Sequence, residues 1–426
     1  PPGAIGGEVR YRAEGAGAIG RTRLEAHVTT RPHISDDQRR ARLAHRHGLV
    51  PHARFDGPGS VAEGVVALHA TDTPTIHLSI AARVDGATLA DTTRALGEGR
   101  RLHRQMGMRR TQWAATDPVV DAMLAGPAAR VAAAERRGLA AELEASGITV
   151  DPARWLRRAE ADLLAALDDG AELTANELAA TSTRLGRRVV RAPGTKWQTE
   201  VGVASRLLTV LWAEGKVTRG TDAGAWYSSR PRWTTARHRR GDRCELPSTR
   251  EAWAELVQRW LLRFGPGTEA DLRWWLGAPA GVVRAALADV AATEVELDGG
   301  VVGWVAAGDE DPVEDPGRWA ALLPGLDPTT MGHKERAFYT GGHDAALYDG
   351  GNGGTTAWVD GRMVGGWSTT EDGVVRLHLL EEVDGEACEL LEERAGRLEA
   401  FIEGRGVTGL YSSPLVAQLL RDERSR

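Results

Sequence analysis

The stretch at residues 68–72 reads LHATD. An apolar run, 65–68, stops at His69, and Thr71, Asp72, Thr73 and Pro74 follow. An imidazole, a hydroxyl and a carboxylate within four positions suit the handling of water. A neutral histidine can accept a proton from water as a general base, which typically contributes about 10²–10⁴-fold. The Thr71 hydroxyl can orient the same water, and Asp72 can fix the imidazole tautomer or stabilise a nearby cation. The same residues also suit a helix boundary, with His69 closing one helix and Asp72 capping the next.

Other candidates for chemistry are weaker. His45, His47 and His52 lie close in HRHGLVPH, but no cysteine or carboxylate accompanies them at a zinc spacing, so they read as a solvated helix end. Residues 341–356 are glycine-rich without the lysine of a phosphate loop and read as a flexible connection. Cys244 and Cys388 stand far apart, which excludes a disulfide framework and fits a reducing cytoplasm. Neither metal nor cofactor is expected. Lys196, Lys216 and Lys334 are the only lysines, and none is near LHATD in sequence. Schiff-base chemistry needs an amine, so the sequence favours a water mechanism.

Those side chains need elements to hold them. Ser35 caps a helix that stops at Gly48. Helices are expected over 60–68, 74–84 and 88–97, then a strand, a turn at Gly107 and a second strand. The outline recurs. Thr174 and Glu177 form a capping box, a helix covers 200–215, and 216–229 reads as strand, turn, strand. Helices over 249–265, 267–277 and 279–290 precede a hairpin at 293–305. Helices followed by a hairpin are the outline of a winged helix. The expected class is α+β, mainly α, with tandem winged-helix units around a DNA-binding channel and a β-rich C-terminal segment. The expected boundaries are 1–33 as a disordered extension, 34–120 with the LHATD stretch, 121–248, 249–307, and 308–426 as an acidic linker followed by the β-rich segment and a long helix over 383–404.

The chain carries a net charge of −6, but the charges are segregated. Residues 100–110 and 184–196 each hold five basic groups and no acid, and 230–243 holds six arginines against Asp242. Such patches can steer a polyanion whatever the net charge. The candidate DNA contacts are Arg109, Arg110, Trp113, Arg187, Arg188, Lys196, Arg237, Arg239, Arg240 and Arg362, with Trp197 beside them. No apolar run is long enough for a membrane helix, and the chain is expected to act as a cytoplasmic monomer on double-stranded DNA.

Several stretches resemble the AlkZ/YcaQ-type DNA glycosylases, in order and spacing: ISDDQRRARLAHRHGL, VVALHATDTPTIHLSIAAR, QMGMRRTQW, EGKVTRGTDAGAWY, LLPGLDPTTMGHKER and WVDGRMVGGW. The resemblance covers about residues 34–415. It implies a glycosylase that releases N7- or N3-alkylated purines, bulky genotoxin adducts among them, in DNA repair or self-resistance, and the scarcity of lysines makes a monofunctional enzyme the expectation. The family keeps a Gln–aliphatic–Gln or Gln–aliphatic–Asp motif where this chain has His69-Ala70-Thr71, so both polar side chains are exchanged. That exchange keeps one alternative open, a non-catalytic DNA-binding protein on the same scaffold that serves as regulator or lesion sensor; the acidic net charge leaves a further one, a winged-helix protein-interaction module, which the segregated arginines oppose.

Overall fold

Helix starts follow the local chemistry closely. Ser35 caps the Asp36–Arg46 helix by accepting from the Gln38 amide, and Thr88/Asp91, Thr174/Glu177 and Thr268/Asp271 form reciprocal capping boxes. The computed structural model describes residues 31–192, 194–241, 245–407 and 411–424. The expected extension falls almost wholly outside these residues. From residue 32 onward the described chain forms one compact unit.

Three sheets organise it. Leu68–His69, Gln112–Ala115 and His103–Met106 form an antiparallel sheet with the Gln112–Ala115 strand in the centre. His33–Ile34 runs parallel to Thr293–Leu297, which pairs with Val301–Val305, so the start of the described chain is held by a hairpin about 260 residues further on. Ala320–Leu323, Thr356–Val359, Arg362–Thr369 and Val375–Leu379 make a four-stranded antiparallel sheet. Two further hairpins, Arg188–Arg191 with Thr199–Gly202 and Val217–Asp222 with Pro231–Thr235, follow groups of helices. The largest core packs Trp113, Trp253, Trp260, Trp275, Trp319 and Trp358 together, while the two further hairpins contribute Val189, Val217 and Trp233 to a second one. No helix among the described residues is long and apolar enough to cross a membrane.

Three expectations need correction, and two helices had none. The helix expected over 60–68 is Pro58–Gly64; the chain then turns through Val66 at φ 64° and enters the Leu68–His69 strand. A β-branched residue in the left-handed region is costly, so surrounding packing must hold it there. The second strand of the hairpin expected over 216–229 begins only at Pro231. Residues 341–356 contain a short helix, Asp344–Leu347, and paired strands rather than an open connection. The Ala129–Ala145 and Pro152–Ala166 helices went unrecognised in the sequence, and they pack with the Val203–Ala213 helix in a core of their own.

Candidate functional site

His69 ends the edge strand and pairs directly with Trp113. Side chains aligned across antiparallel strands share a face, so His69, Trp113 and Gln105 lie on one side of the sheet and Leu68, Ala114 and Arg104 on the other. The His69 ring sits 4.9 Å from the Trp113 ring, which in turn packs 5.5 Å from Trp275. His69 is only 3% exposed. The Thr71 amide donates to Nδ1 at 3.4 Å, which leaves the ring proton on Nε2 in the neutral form. The Thr71 hydroxyl is buried without a hydrogen-bond partner.

Arg109 is the nearby charge. It occupies the tip of the Gly107 turn with φ 54°, and Arg110 follows at φ 60°. Its guanidinium lies 4.3 Å over the Trp274 ring and 5.9 Å from the Trp113 ring. Nε and Nη2 are buried without partners. The turn sits tightly on Gly277, where a Cβ would meet the Arg109 amide nitrogen at 3.0 Å. Burial, and then the charge of Arg109, push the His69 imidazole down to about 3. His69 is therefore neutral at physiological pH, and such a ring is a poor proton acceptor. It resembles an amide more than a general base.

Asp72 occupies the N-cap position of the Thr73–Ala81 helix, but its side chain makes no capping hydrogen bond. It lines a cavity with Thr75, Gly325, Thr355 and Tyr411. The helix itself is anchored by a buried network. Arg83 and Asp327, both fully buried, pair at 2.6 Å. Ser79 donates to Asp327 at 2.6 Å, and Arg83 also donates to Thr329 at 2.7 Å and to the carbonyl of His47 at 3.0 Å. Thr75 donates to the Gly325 carbonyl at 2.6 Å. Thus the segment after LHATD is fixed to LLPGLDPTTMGHKER by charge-assisted hydrogen bonds that sequence inspection did not reveal. Two polar residues four apart on one helix face, Thr75 and Ser79, were the available signal.

The candidate DNA contacts divide. Arg187, Arg188 and Lys196 are exposed on or beside the Arg188–Arg191 hairpin, with Arg191 joining them; Arg188 pairs with Glu200 at 3.3 Å. Trp197 at its tip is 73% exposed and carries Lys196 5.0 Å over its ring. Arg237 and Arg362 are exposed, the latter 3.5 Å from Glu381. Arg110 pairs with Glu135 at 2.5 Å. Three expectations fall to packing. Trp113 is fully buried, a wall of the His69 site rather than a surface. Arg240 is held by Asp117 and Asp121 at 2.7 and 2.5 Å. Buried Arg239 donates to the carbonyls of Leu96 and Gly97.

The three histidines of HRHGLVPH also separate. His47 is buried against Thr329 at 2.8 Å, while His45 and His52 touch each other at 3.1 Å. Lys216 is bound by Glu160 and Glu214; burial lowers its pKa, but those bonds outweigh it and raise it overall, which keeps the amine protonated.

The family model described as DNA glycosylase AlkZ-like matches residues 62–401. A solved structure, the Streptomyces sahachiroi DNA glycosylase AlkZ, is similar in fold with a TM-score of 0.66 at 20% identity, covering 87% of this chain and 98% of that one. No curated protein matches the sequence.

Proposed function

Since the chain belongs to the AlkZ-like family of DNA glycosylases, we propose that it hydrolyses the N-glycosidic bond of alkylated purines with a water held by His69 and Thr71. The observation that carries this reading is the unpartnered, buried Thr71 hydroxyl beside a neutral imidazole at the end of a fixed strand. A purine alkylated at N7 or N3 is cationic and already a good leaving group. Its departure leaves oxocarbenium character on the sugar, as in other glycoside hydrolyses. The protein then has to position a water and stabilise charge, and strong base catalysis is unnecessary.

His69 and Thr71 can do this together. Nε2–H donates to the water oxygen, the Thr71 hydroxyl accepts a water proton, and neither group carries charge. In this role the pair does the work of two amides, which accounts for its occupation of the family's Gln–aliphatic–Gln positions. Proton loss from the water follows attack, once the oxygen is bonded to C1′ and acidic. Arg109 places a positive charge where a cation develops, and that is unfavourable unless an anion accompanies it. Its free N–H groups suit a DNA phosphate, which would neutralise it and draw the sugar toward His69. Asp72, next in the chain after Thr71, would offer the compensating negative charge.

DNA binding would be shared with exposed cations on the Arg188–Arg191 hairpin and with Arg237 and Arg362, in a tandem winged-helix arrangement of the helix-and-hairpin units. The reaction would be monofunctional. The test is release of base from duplex DNA carrying N7-alkylguanine, followed by alkali to cleave at abasic sites. Intact alkylated strands after prolonged incubation with excess protein would defeat the proposal. A borohydride-trapped protein–DNA adduct would replace the water mechanism with an amine mechanism.

A further inference from the structure

A second polar cleft lies on the other side of the His69 sheet. It is lined by Thr73 and His77 of the Thr73–Ala81 helix, Thr93, Arg104, and the Val217–Asp222 strand with the loop after it through Trp226. Arg104 lies opposite Ala114, on the face away from His69 and Trp113. The water chemistry proposed above does not use this cleft.

Its walls hold a concentration of unmet hydrogen-bonding capacity. Arg104 pairs with Asp222, yet Arg104 Nε and Asp222 Oδ1 are buried without partners. Arg219 lies 4.3 Å from the Trp233 ring and 4.9 Å from the Trp212 ring, and its Nε and Nη1 also lack partners. Leaving a buried donor or acceptor unmet is costly, so an occupant that met these groups would be bound by the recovered energy. His77 adds an acceptor. Thr92 donates its hydroxyl proton to the Leu89 carbonyl, so it must accept from His77 Nδ1–H at 2.6 Å. In the neutral ring Nε2 then carries a lone pair. Trp226 provides an aromatic wall, its ring 5.8 Å from that of His77.

The ligand these groups describe is planar and neutral, with hydrogen-bond acceptors on one edge and donors on another. Two guanidiniums face the acceptors, and a carboxylate and an imidazole nitrogen face the donors. A free phosphate fits poorly because Asp222 would repel it. Among nucleobases, arginine pairs best with the O6/N7 edge of guanine, and the N1–H and N2–H groups of guanine suit Asp222 and His77. We propose that this cleft is a binding site for a guanine-type purine base, with any sugar extending past the exposed Thr93, Thr221 and Ala225 at the rim. The proposal goes beyond the glycosylase reading and does not depend on it.

Equilibrium dialysis of the full chain with labelled guanosine, without DNA, tests it. Saturable binding at least tenfold tighter than that of adenosine is expected. Asp222→Asn should weaken it tenfold or more. Thr93→Phe, which fills the rim without touching the Arg104–Asp222 pair, should abolish it in a protein of unchanged circular dichroism. His69→Ala, on the opposite face, should bind guanosine like the parent. Absence of binding, equal affinity for adenosine, or full affinity in Thr93→Phe would each overturn the assignment. Guanosine binding by a protein that releases no alkylpurine would sink the glycosylase reading alone, and the converse would sink this one alone.

Discussion

The His69 strand and the Arg188–Arg191 hairpin both carry polar groups that sequence inspection marks as functional, and they are built in opposite ways. His69 is buried, paired across the sheet, packed at a tilt against Trp113 and followed by a helix locked through Arg83 and Asp327. The hairpin projects Arg187, Arg191, Lys196 and Trp197 into solvent, while Val189 beneath them anchors it in the second core. Holding one water against one atom requires groups fixed to a fraction of an ångström. Gripping phosphates requires long cations that adapt to a partner, and burial would only raise the cost of their charge. On the proposed reading the difference separates the two tasks: one region would set rate, the other affinity.

The separation can be broken experimentally, beginning with the largest effect. Asp327→Ala strands Arg83 as a buried, unpaired cation, and removing one partner of such a pair costs about 3–5 kcal/mol. Urea unfolding should register that loss, whereas Arg187→Ala should leave the midpoint within about 0.5 kcal/mol of the parent. Equal destabilisation by both would erase the distinction. Next, Trp197→Ala should weaken DNA binding by about 1–3 kcal/mol if the exposed ring stacks on a base, and it should leave stability alone. Full affinity in a gel-shift titration would return Trp197 to an idle surface position.

Acid should act on the buried side only. Burial first, with the Arg109 charge for His69, the Arg83 charge for His47 and the Arg104 charge for His77, holds these rings neutral; His69 and His77 sit at about 3 and His47 is also well depressed. Burial likewise depresses His333, which faces both Asp271 and Arg39, to about 4. In the unfolded chain each titrates near 6.5. The unfolded state therefore binds more protons between about pH 6.5 and 4, so stability falls as the pH is lowered through that window. Each ring contributes at most about 1.4 kcal/mol per pH unit. A urea midpoint that held constant from pH 7 to 5 would contradict this. The smallest effect concerns salt. Arg187→Ala with Arg188→Ala should flatten the dependence of log affinity on log salt by about 1.8, two phosphate contacts at 0.9 each. An unchanged slope would place both residues off the DNA.

Local features of the fold were legible in the sequence because their causes are local. Ser35, Thr174 and Thr268 announce their helices with a partner three residues away. The Gly107 turn and its two strands could be read from alternation. What escaped depends on contacts across the chain. The 60–68 stretch looks helical until a strand 44 residues on captures Leu68 and His69. Arg240 looks like a free cation until Asp117 and Asp121 meet it from more than 115 residues away. In the same way LHATD pointed to His69 and Thr71, but the neutrality of His69 comes from burial and from Arg109, neither of which spacing reveals. The sequence therefore suggested a general base, where the structure places a ring held neutral.

The most direct test of that account is the pH dependence of alkylpurine release under single-turnover conditions for the parent, His69→Ala and His69→Gln. If His69 positions water as a neutral group, His69→Ala should lose about 10²-fold or more, and His69→Gln should recover a substantial part. DNA affinity should be unchanged in both, and the parent rate should stay flat from pH 8 down to 5, since the ring protonates only near 3. An acidic limb near pH 6.5 that disappears in His69→Gln would show a titrating general base instead. Undiminished release by His69→Ala would remove His69 from the chemistry altogether.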